Sequence, residues 1–225
     1  MTGPPAPRTT FPSLAHLDFH GESEYVEEFV ARIELPALFH ITIGLFNDIF
    51  FEMPQFCEFI TRLNALRSPT LALLALDGES VKVSFIRDRQ VDSINEGCSL
   101  QTSCRRLDWR VSFVTQITSQ LSPLLSSVHE LCIGGKMTTG EEDSTQWLEL
   151  FQIFTHVTKV TVLDERLLPG VVHALVMGDM AAGVLPELTR LHLEGYLSTP
   201  SVVKAAERFV ATRRLAGRTV FLTNC

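Results

Sequence analysis

The sequence predicts an α/β fold in which short, mostly parallel strands lie on one side and helices on the other. Three observations carry this prediction. An apolar-x-x-apolar-x-apolar pattern recurs along the chain, glycine or a turn residue follows most copies, and the segments between copies have helical periodicity. The chain has 225 residues and is 45% hydrophobic, which is enough for one domain with a sizeable core.

The repeated pattern occurs at similar spacing along most of the chain. Its six copies are FPSLAHLDFHG (11–21), LPALFHITIG (35–44), TLALLALDG (70–78), SSVHELCIGG (126–135), THVTKVTVLD (155–164) and VLPELTRLHLEG (184–195). A seventh, weaker copy has Cys104, Leu107 and Trp109 at the three apolar positions. Each copy is predicted to be one strand, and each step along the chain leaves room for one strand and one helix.

The segments between the copies predict helices. Helical stripes or capping signals mark residues 22–33, 54–66, 108–125, 143–154 and 199–217, and a last strand is predicted over 218–223. In the first helix the predicted apolar stripe comprises Tyr25, Val26, Phe29, Val30 and Ile33. Asp143 and Gln146 have capping-box spacing, while Thr199 is the expected N-cap of the last helix, with Pro200 at its first position and Gly217 ending it.

Two stretches interrupt the period. An irregular insert around 77–103 contains VKVSF (81–85) and SLQTSC (99–104), which are expected to form an antiparallel hairpin in place of a regular repeat. A polar loop is expected around 134–144. The domain organisation predicted is therefore a disordered N-terminal tail over 1–10, followed by a single repeat domain over 11–225.

A strand, a turn and a helix that recur in this way cannot bury their apolar face alone, but stacked units share one continuous core. This favours a short, irregular solenoid of the leucine-rich-repeat type. The asparagine that usually follows the strand pattern of such repeats is absent from this chain.

Several segments, taken in order, resemble the leucine-rich-repeat region of the F-box-like protein families of mushroom-forming fungi. They are FPSLAHLDFHGESEYVEEFVARIELPAL, MPQFCEFITR, CRRLDW, QLSPLLSSVHEL, DSTQWLELF, VLPELTRLHLEG and ERFVATRRLAGRTV, which together run from about residue 11 to 222. The resemblance implies a non-catalytic substrate-recognition subunit of a cullin-type ubiquitin ligase. Its repeats would bind the protein to be ubiquitinated, and its F-box would bind the ligase adaptor.

The chain departs from this family at its start. An F-box would precede the repeats, but only polar, proline-rich residues stand before Phe11, so the adaptor is expected as a partner only if an F-box is supplied upstream. The first unit opens with Phe11, Leu14, Leu17 and Phe19 and has no capping helix. We therefore expect a truncated chain or a first edge that a partner covers. A degenerate paralogue without a ligase role remains an alternative.

Residues between the apolar positions of each strand are expected to point away from the core. The central outward positions are Asp18, Thr42, Ala75, Cys132, Thr161 and His192, and the positions two residues earlier are His16, His40, Leu73, Glu130, Lys159 and Arg190. The polar members and Cys132 form the candidate partner-binding strand face. Solvated strand residues with no partner would give the same pattern.

Composition excludes several other classes of function. The formal net charge of −7 disfavours nucleic acid, and no apolar run is long enough to span a membrane. Five scattered cysteines without a signal peptide or a CxxC pair indicate reduced thiols in the cytoplasm or nucleus and no structural zinc site.

Catalytic chemistry and cofactors have no support in the sequence. There is no GxSxG motif, Cys132 has no oriented base, and Gly134-Gly135-Lys136 lacks the spacing of a phosphate loop. His16 and His40 are expected to be neighbours on adjacent strands but lack a third ligand, and Trp109 and Trp147 are interpreted as packing residues. A small α/β enzyme or ligand-binding domain with an unrecognised site stays open as the alternative from another class.

Overall fold

The computed structural model describes residues 8–46, 51–63, 66–87, 97–103, 110–135, 144–181, 183–195 and 199–224. The strands are β1 (Thr9–Thr10), β2 (His16–Gly21), β3 (Ile33–Glu34), β4 (His40–Phe46), β5 (Leu71–Leu76), β6 (Ser80–Ile86), β7 (Gly97–Ser103), β8 (Glu130–Gly134), β9 (Lys159–Val162), β10 (Arg190–Leu193) and β11 (Phe221–Asn224). The helices are α1 (Ser23–Ala31), α2 (Pro54–Arg62), α3 (Arg110–Gln120), α4 (Ser122–Leu125), α5 (Ser144–Ile153), α6 (Leu168–Ala181) and α7 (Pro200–Leu215).

Nine strands form one sheet in the order β11-β10-β9-β8-β5-β6-β7-β4-β2, and β1 pairs separately with β3. Neighbours in the large sheet are parallel except at β6, which runs antiparallel to both β5 and β7. The fold is therefore α/β with a mostly parallel sheet, as the sequence predicts at this level. The expected hairpin of the insert is the antiparallel pair β6–β7, which is confirmed.

The helices lie on one face of the sheet. Every parallel connection, from β2 to β4, β4 to β5, β7 to β8 and onward to β11, advances along the sheet in the same direction. Right-handed crossovers in one direction place all connecting helices on the same side. In agreement, α1 packs beside α2, α3 beside α5, α5 beside α6 and α6 beside α7.

One apolar core fills the space between the helices and the sheet. Alternate strand residues supply its floor, in two rows that include Ile41, Leu131, Val160 and Leu191, then Ile43, Ile133, Val162 and Leu193. Trp147 on α5 is fully buried in this core, so its interpretation as a packing residue is confirmed. Trp109 lies outside the described residues.

The β5 copy of the repeat pattern has a different register from the one predicted. Leu73 aligns with Cys132 and Leu74 with Ile133, so Ala72 and Leu74 occupy the core positions and Leu73, not Ala75, lies in the central outward row. The shift of two positions keeps the same face buried, and the run LALLAL, which is apolar throughout, does not specify which inward residue aligns with which neighbour.

Helix α6 is absent from the helices predicted by sequence. Its segment LPGVVHALVMGDMA is apolar on nearly every side, so it lacks the single stripe that marks an amphipathic helix. Pro169 is at its second residue, where a missing backbone N–H costs no helical hydrogen bond.

The structure differs from the predicted cap of α7 and from the predicted apolar stripe of α1. Thr199 is the N-cap residue of α7, but its side chain makes no capping hydrogen bond; Asp143 lies outside the described residues. In α1, Val26 and Val30 are buried as predicted, whereas Tyr25 and Phe29 are 62% and 37% exposed. The predicted stripe is wider than the surface that the short helix buries.

Regular structure begins closer to the N-terminus than predicted, because Thr9 and Thr10 of the expected tail form a strand. Thr9–Thr10 pair with Ile33–Glu34, because the Thr9 N–H donates to the Arg32 carbonyl and the Phe11 N–H to the Glu34 carbonyl. Residues 1–7 of the expected tail, the seventh repeat copy at 104–109 and residues 136–143 of the polar loop lie outside the described residues.

Candidate functional site

The sheet surface opposite the helices, which we call the ladder face, carries two long aligned rows of side chains and a shorter third row with His20, Gln101 and Lys82. One row is His16, His40, Gly97, Ile86, Leu71, Glu130, Lys159, Arg190 and Phe221; the other is Asp18, Thr42, Ser99, Ser84, Leu73, Cys132, Thr161, His192 and Thr223. All ten residues of the candidate partner-binding face lie in these rows. Strand register thus places all ten on one face of the sheet, although His16 and His192 lie near its opposite ends.

Three strands divide the ten residues into two groups. β7, β6 and β5 lie between β4 and β8 in the sheet, which is a gap of four strand spacings, or about 19 Å. His16, Asp18, His40 and Thr42 form the first group, on β2 and β4. Glu130, Cys132, Lys159, Thr161, Arg190 and His192 form the second group, on β8, β9 and β10.

The first group is a cluster of histidine and aromatic rings. The His16 and His40 ring centroids are 5.9 Å apart, so the expectation that these two residues are neighbours is confirmed. His16 also packs edge-on against Phe39 at 4.5 Å, and His40 Nε2 lies 3.1 Å from Thr42 Oγ1. Among the described residues, no group of three or more side chains is arranged to hold a metal ion.

A glycine on β4 makes room for a further histidine beside this cluster. The Nδ1 atom of His20 lies only 2.2 Å from the position that a Cβ of Gly44 would take. His20 stacks on Phe46 with centroids 6.4 Å apart, and its Nε2 is 3.1 Å from Asp18 Oδ1. The first group therefore presents imidazole rings, one carboxylate and an exposed phenyl ring at one end of the sheet.

The second group carries opposite charges in neighbouring strands. Lys159 Nζ lies 2.7 Å from Glu130 Oε1, and both side chains are largely shielded from solvent. Arg190 is exposed in the next strand of the same row, and His192 Nδ1 lies 2.7 Å from Thr223 Oγ1. A partner would meet charges of both signs here, with hydrogen-bonding groups at the outer edge.

Two predicted contact residues are not accessible. Cys132 and Thr161 are 2% and 5% exposed. Both side chains are short, and Thr161 lies between the longer side chains of Lys159 and Leu163, two residues before and after it in the chain. Outward orientation is thus correct for both residues, but a partner cannot reach them as the face stands.

Sequence reasoning missed the contribution of the insert to this face. Ser84 Oγ lies 3.1 Å from Ser99 Oγ across β6 and β7, and Lys82 is exposed two residues from Ser84 on the same side. The alternation in VKVSF, with Val81, Val83 and Phe85 buried, was sufficient to place Lys82 and Ser84 outward.

The carboxyl ends of β8, β9 and β10 border an open cavity of 380 Å³. Its polar lining includes Asp164, Glu165, Arg166 and Glu194. Arg166 donates to Asp164 from Nε at 2.9 Å and from Nη2 at 2.7 Å, and this hydrogen bonding raises the pKa of the guanidinium. The pair forms a local turn that supports the short 3-10 helix Glu165–Leu167, because the Asp164 side chain also accepts the Arg166 backbone N–H.

The described cysteines are free thiols. Burial raises the pKa of the Cys57 thiol to about 12, with a smaller contribution from Glu27, and burial also raises the pKa of Cys98. His129, the histidine nearest to Cys132 in sequence, has Nδ1 3.2 Å from the His156 carbonyl. Neither Cys57 nor Cys98 is thus poised as a thiolate nucleophile at neutral pH.

None of the described helices is both long enough and apolar enough to cross a bilayer. Comparisons of the chain with protein-family models, with curated proteins and with solved structures find no match. Its function is therefore inferred from its own residues and their arrangement.

Proposed function

We propose that this chain is a non-catalytic module that binds another protein through the ladder face. The observation that carries the proposal is the common register, which aligns the polar residues of β2, β4, β8, β9 and β10 in two rows. No described helix covers this surface, so its two accessible ends are open to a partner. Extended, shallow polar faces of this kind suit protein surfaces better than small molecules, which favour enclosed apolar pockets.

The proposed architecture is a short, irregular arc of the leucine-rich-repeat type. Its support is that strand–helix units advance in one direction and share register, particularly β8–α5, β9–α6 and β10–α7. The antiparallel strand β6 and the long crossovers into β5 and β8 depart from a regular array. The most regular part is therefore the C-terminal half, which contains the second group. We propose that the second group makes the principal contacts with the partner.

The partner chemistry proposed follows from the exposed charges. At the first group, Asp18 and the histidines favour a surface with hydrogen-bond donors and aromatic groups. At the second group, Arg190 stands beside the Glu130–Lys159 pair and favours a carboxylate on the partner. A uniformly anionic polymer is disfavoured because Asp18 and Glu130 each place a carboxylate on this face.

The resemblance to the recognition region of fungal F-box-like proteins makes a substrate of a cullin-type ligase the partner class that we propose. In that setting the bound protein would be ubiquitinated, and the ligase adaptor would be recruited by an F-box supplied upstream. The ladder face itself would only select the substrate.

Quantitative affinity capture with variants tests the proposal. We would compare the original chain, the face variant Asp18→Lys with Arg190→Glu, and the matched helix-side variant Glu207→Lys with Arg214→Glu, which leaves the net charge equally unchanged. Captured proteins that the face variant loses and the helix-side variant retains would support the proposal. Equal capture by all three chains would contradict it.

A further inference from the structure

The outer surfaces of α6 and α7 form a second candidate binding site, on the side of the molecule opposite the ladder face. A groove of 630 Å³ runs between these helices. From α6 it is lined by Pro169, Val172, His173, Val176 and Met177, and from α7 by Ser201, Val202, Lys204, Ala205 and Arg208. Each set has the i, i+3, i+4, i+7 spacing of one helix face, so the groove is continuous along both helices.

The floor of the groove is apolar. Val172 and Val202 are almost completely buried, while Val176 and Ala205 are partly exposed above them. Met177 is 41% exposed at the rim, on a helix that is apolar on most of its circumference. An outer helix normally turns polar residues to solvent, so an apolar outer stripe on α6 indicates a surface that another molecule covers.

The rim of the groove is cationic although the chain as a whole has a net charge of −7. Lys204 and Arg208 lie one helical turn apart on α7, both are exposed, and neither forms an ion pair with a described residue. His173 lies on the α6 side. Among the described residues that line the groove there is no carboxylate.

We propose that the groove binds an acidic amphipathic helix of another protein. The lining on α6 extends from Pro169 to Met177, about 12 Å at the rise of an α-helix, which matches two turns of a docked helix. Such a helix would place apolar residues over Val176 and Met177. Carboxylates four residues apart would face Lys204 and Arg208, which are themselves four residues apart.

The paired cations distinguish this occupant from a fatty acid. An acyl chain carries one carboxylate and needs one cation, whereas two exposed cations spaced by a helical turn match a repeated acidic position. The groove is also open along its length, while apolar ligands of drug size favour more enclosed cavities.

A binding titration tests the proposal with the full chain and two synthetic amphipathic helices. The probes share one apolar face of leucine and methionine; glutamates flank that face in one and lysines in the other. Fluorescence anisotropy at low ionic strength is expected to give saturable binding of the glutamate peptide and at least about tenfold weaker binding of the lysine peptide. Lys204→Glu with Arg208→Glu is expected to reverse this preference.

The control variant Arg67→Glu with Arg214→Glu makes the same charge change at two exposed positions away from both the groove and the ladder face, and is expected to keep the original preference. Equal affinity for both peptides, or an equal loss in the control, would overturn the proposal. Two other occupants of the groove would give different results in these experiments. Decanoate that binds where the glutamate peptide does not would assign the groove to an acyl chain, and a concentration-dependent dimer that the groove variant abolishes would assign it to a second copy.

Discussion

Lys159 Nζ and Glu130 Oε1 lie 2.7 Å apart, joining β9 to β8 in the second group of the ladder face. Cross-strand pairs of opposite charge stabilise a sheet only modestly because part of the Coulomb energy is lost to solvent. The two side chains are only 27% and 21% exposed, so the pair is partly shielded from solvent and retains some of this energy. The pair holds the long Lys159 side chain across the sheet toward β8.

A double-mutant cycle measures this pair. Glu130→Gln, Lys159→Met and the double variant are expected to give a coupling free energy of about 0.5 kcal/mol in urea unfolding at low salt. The coupling should fall when salt is added, because mobile ions screen partly exposed charges. A coupling near zero at low salt would mean that the observed contact does not contribute to stability.

Thr161 provides a test of accessibility. Its Oγ1 atom is buried and has no hydrogen-bond partner in the described part of the chain, so Thr161→Val is expected to raise the free energy of unfolding by up to about 1 kcal/mol. Partner binding should be unchanged, since the side chain is 5% exposed. Weakened binding at unchanged stability would show instead that the partner reaches the hydroxyl group.

Substitution of Arg213 is expected to lower the stability of the C-terminal part more than most other single substitutions. It is fully buried, its Nη1 donates to the Leu185 carbonyl at 3.1 Å, its Nη2 donates to the Val184 carbonyl, and its guanidinium lies 5.0 Å from the Phe209 ring centroid. A basic residue in the last turn of a helix would by itself be expected only to interact favourably with the helix dipole.

Arg213→Ala is expected to lower the free energy of unfolding by about 3 kcal/mol, because it leaves a cavity and two carbonyls that lose their donor. The exposed neighbour provides the control, as Arg214→Ala should change stability by less than about 0.5 kcal/mol. Leu185 has a positive φ of 49°, and the hydrogen bond from Arg213 helps to hold that conformation. A loss below 1 kcal/mol, by the same urea titration, would contradict this role.

The Cys57 thiol gives a prediction on pH. Its pKa is raised from 9.0 to about 12, so the folded state favours the neutral thiol. This contribution to stability is complete below about pH 9 and is lost as the pH rises toward 12, since the unfolded chain ionises first. The free energy of unfolding, measured with urea, is expected to fall less between pH 8 and pH 10 for Cys57→Ala than for the original chain.

Alkylation provides the independent measurement for Cys57. At pH 8 the folded thiol is expected to react with iodoacetamide about 1000-fold more slowly than the same cysteine in urea, because the thiolate is the reactive form. Mass spectrometry of the peptide that contains Cys57 reads the rate. Rates that differ by less than tenfold would show that the thiol is not shielded as described.

The sequence predicted the strands that alternate and the helices that carry one apolar stripe. β8, β9 and β10 were placed in the correct register because Leu131, Val160 and Leu191 alternate with polar residues. β5 was displaced by two positions because its apolar run carries no alternation, and α6 was missed because its apolar surface extends around the helix. Both errors arise where burial on several sides removes the periodic signal.

The candidate face was predictable in composition but not in layout. Alternation placed all ten residues outward, yet it could not show that β5, β6 and β7 would separate them, since the sheet order is set by long-range pairing. It also could not show that Cys132 and Thr161 would be covered. Accessibility depends on the length of neighbouring side chains in three dimensions, which a one-dimensional pattern does not contain.

Lysine labelling of the purified complex tests the central claim most directly. Lys82 and Lys159 lie on the ladder face, whereas Lys204 lies on the helical side, so one chain carries the probe and its control. With a partner bound, amine acetylation read by mass spectrometry is expected to show slower modification of Lys82 or Lys159 and an unchanged rate at Lys204. Protection of Lys204, with Lys82 and Lys159 modified as in the free chain, would contradict binding through the ladder face.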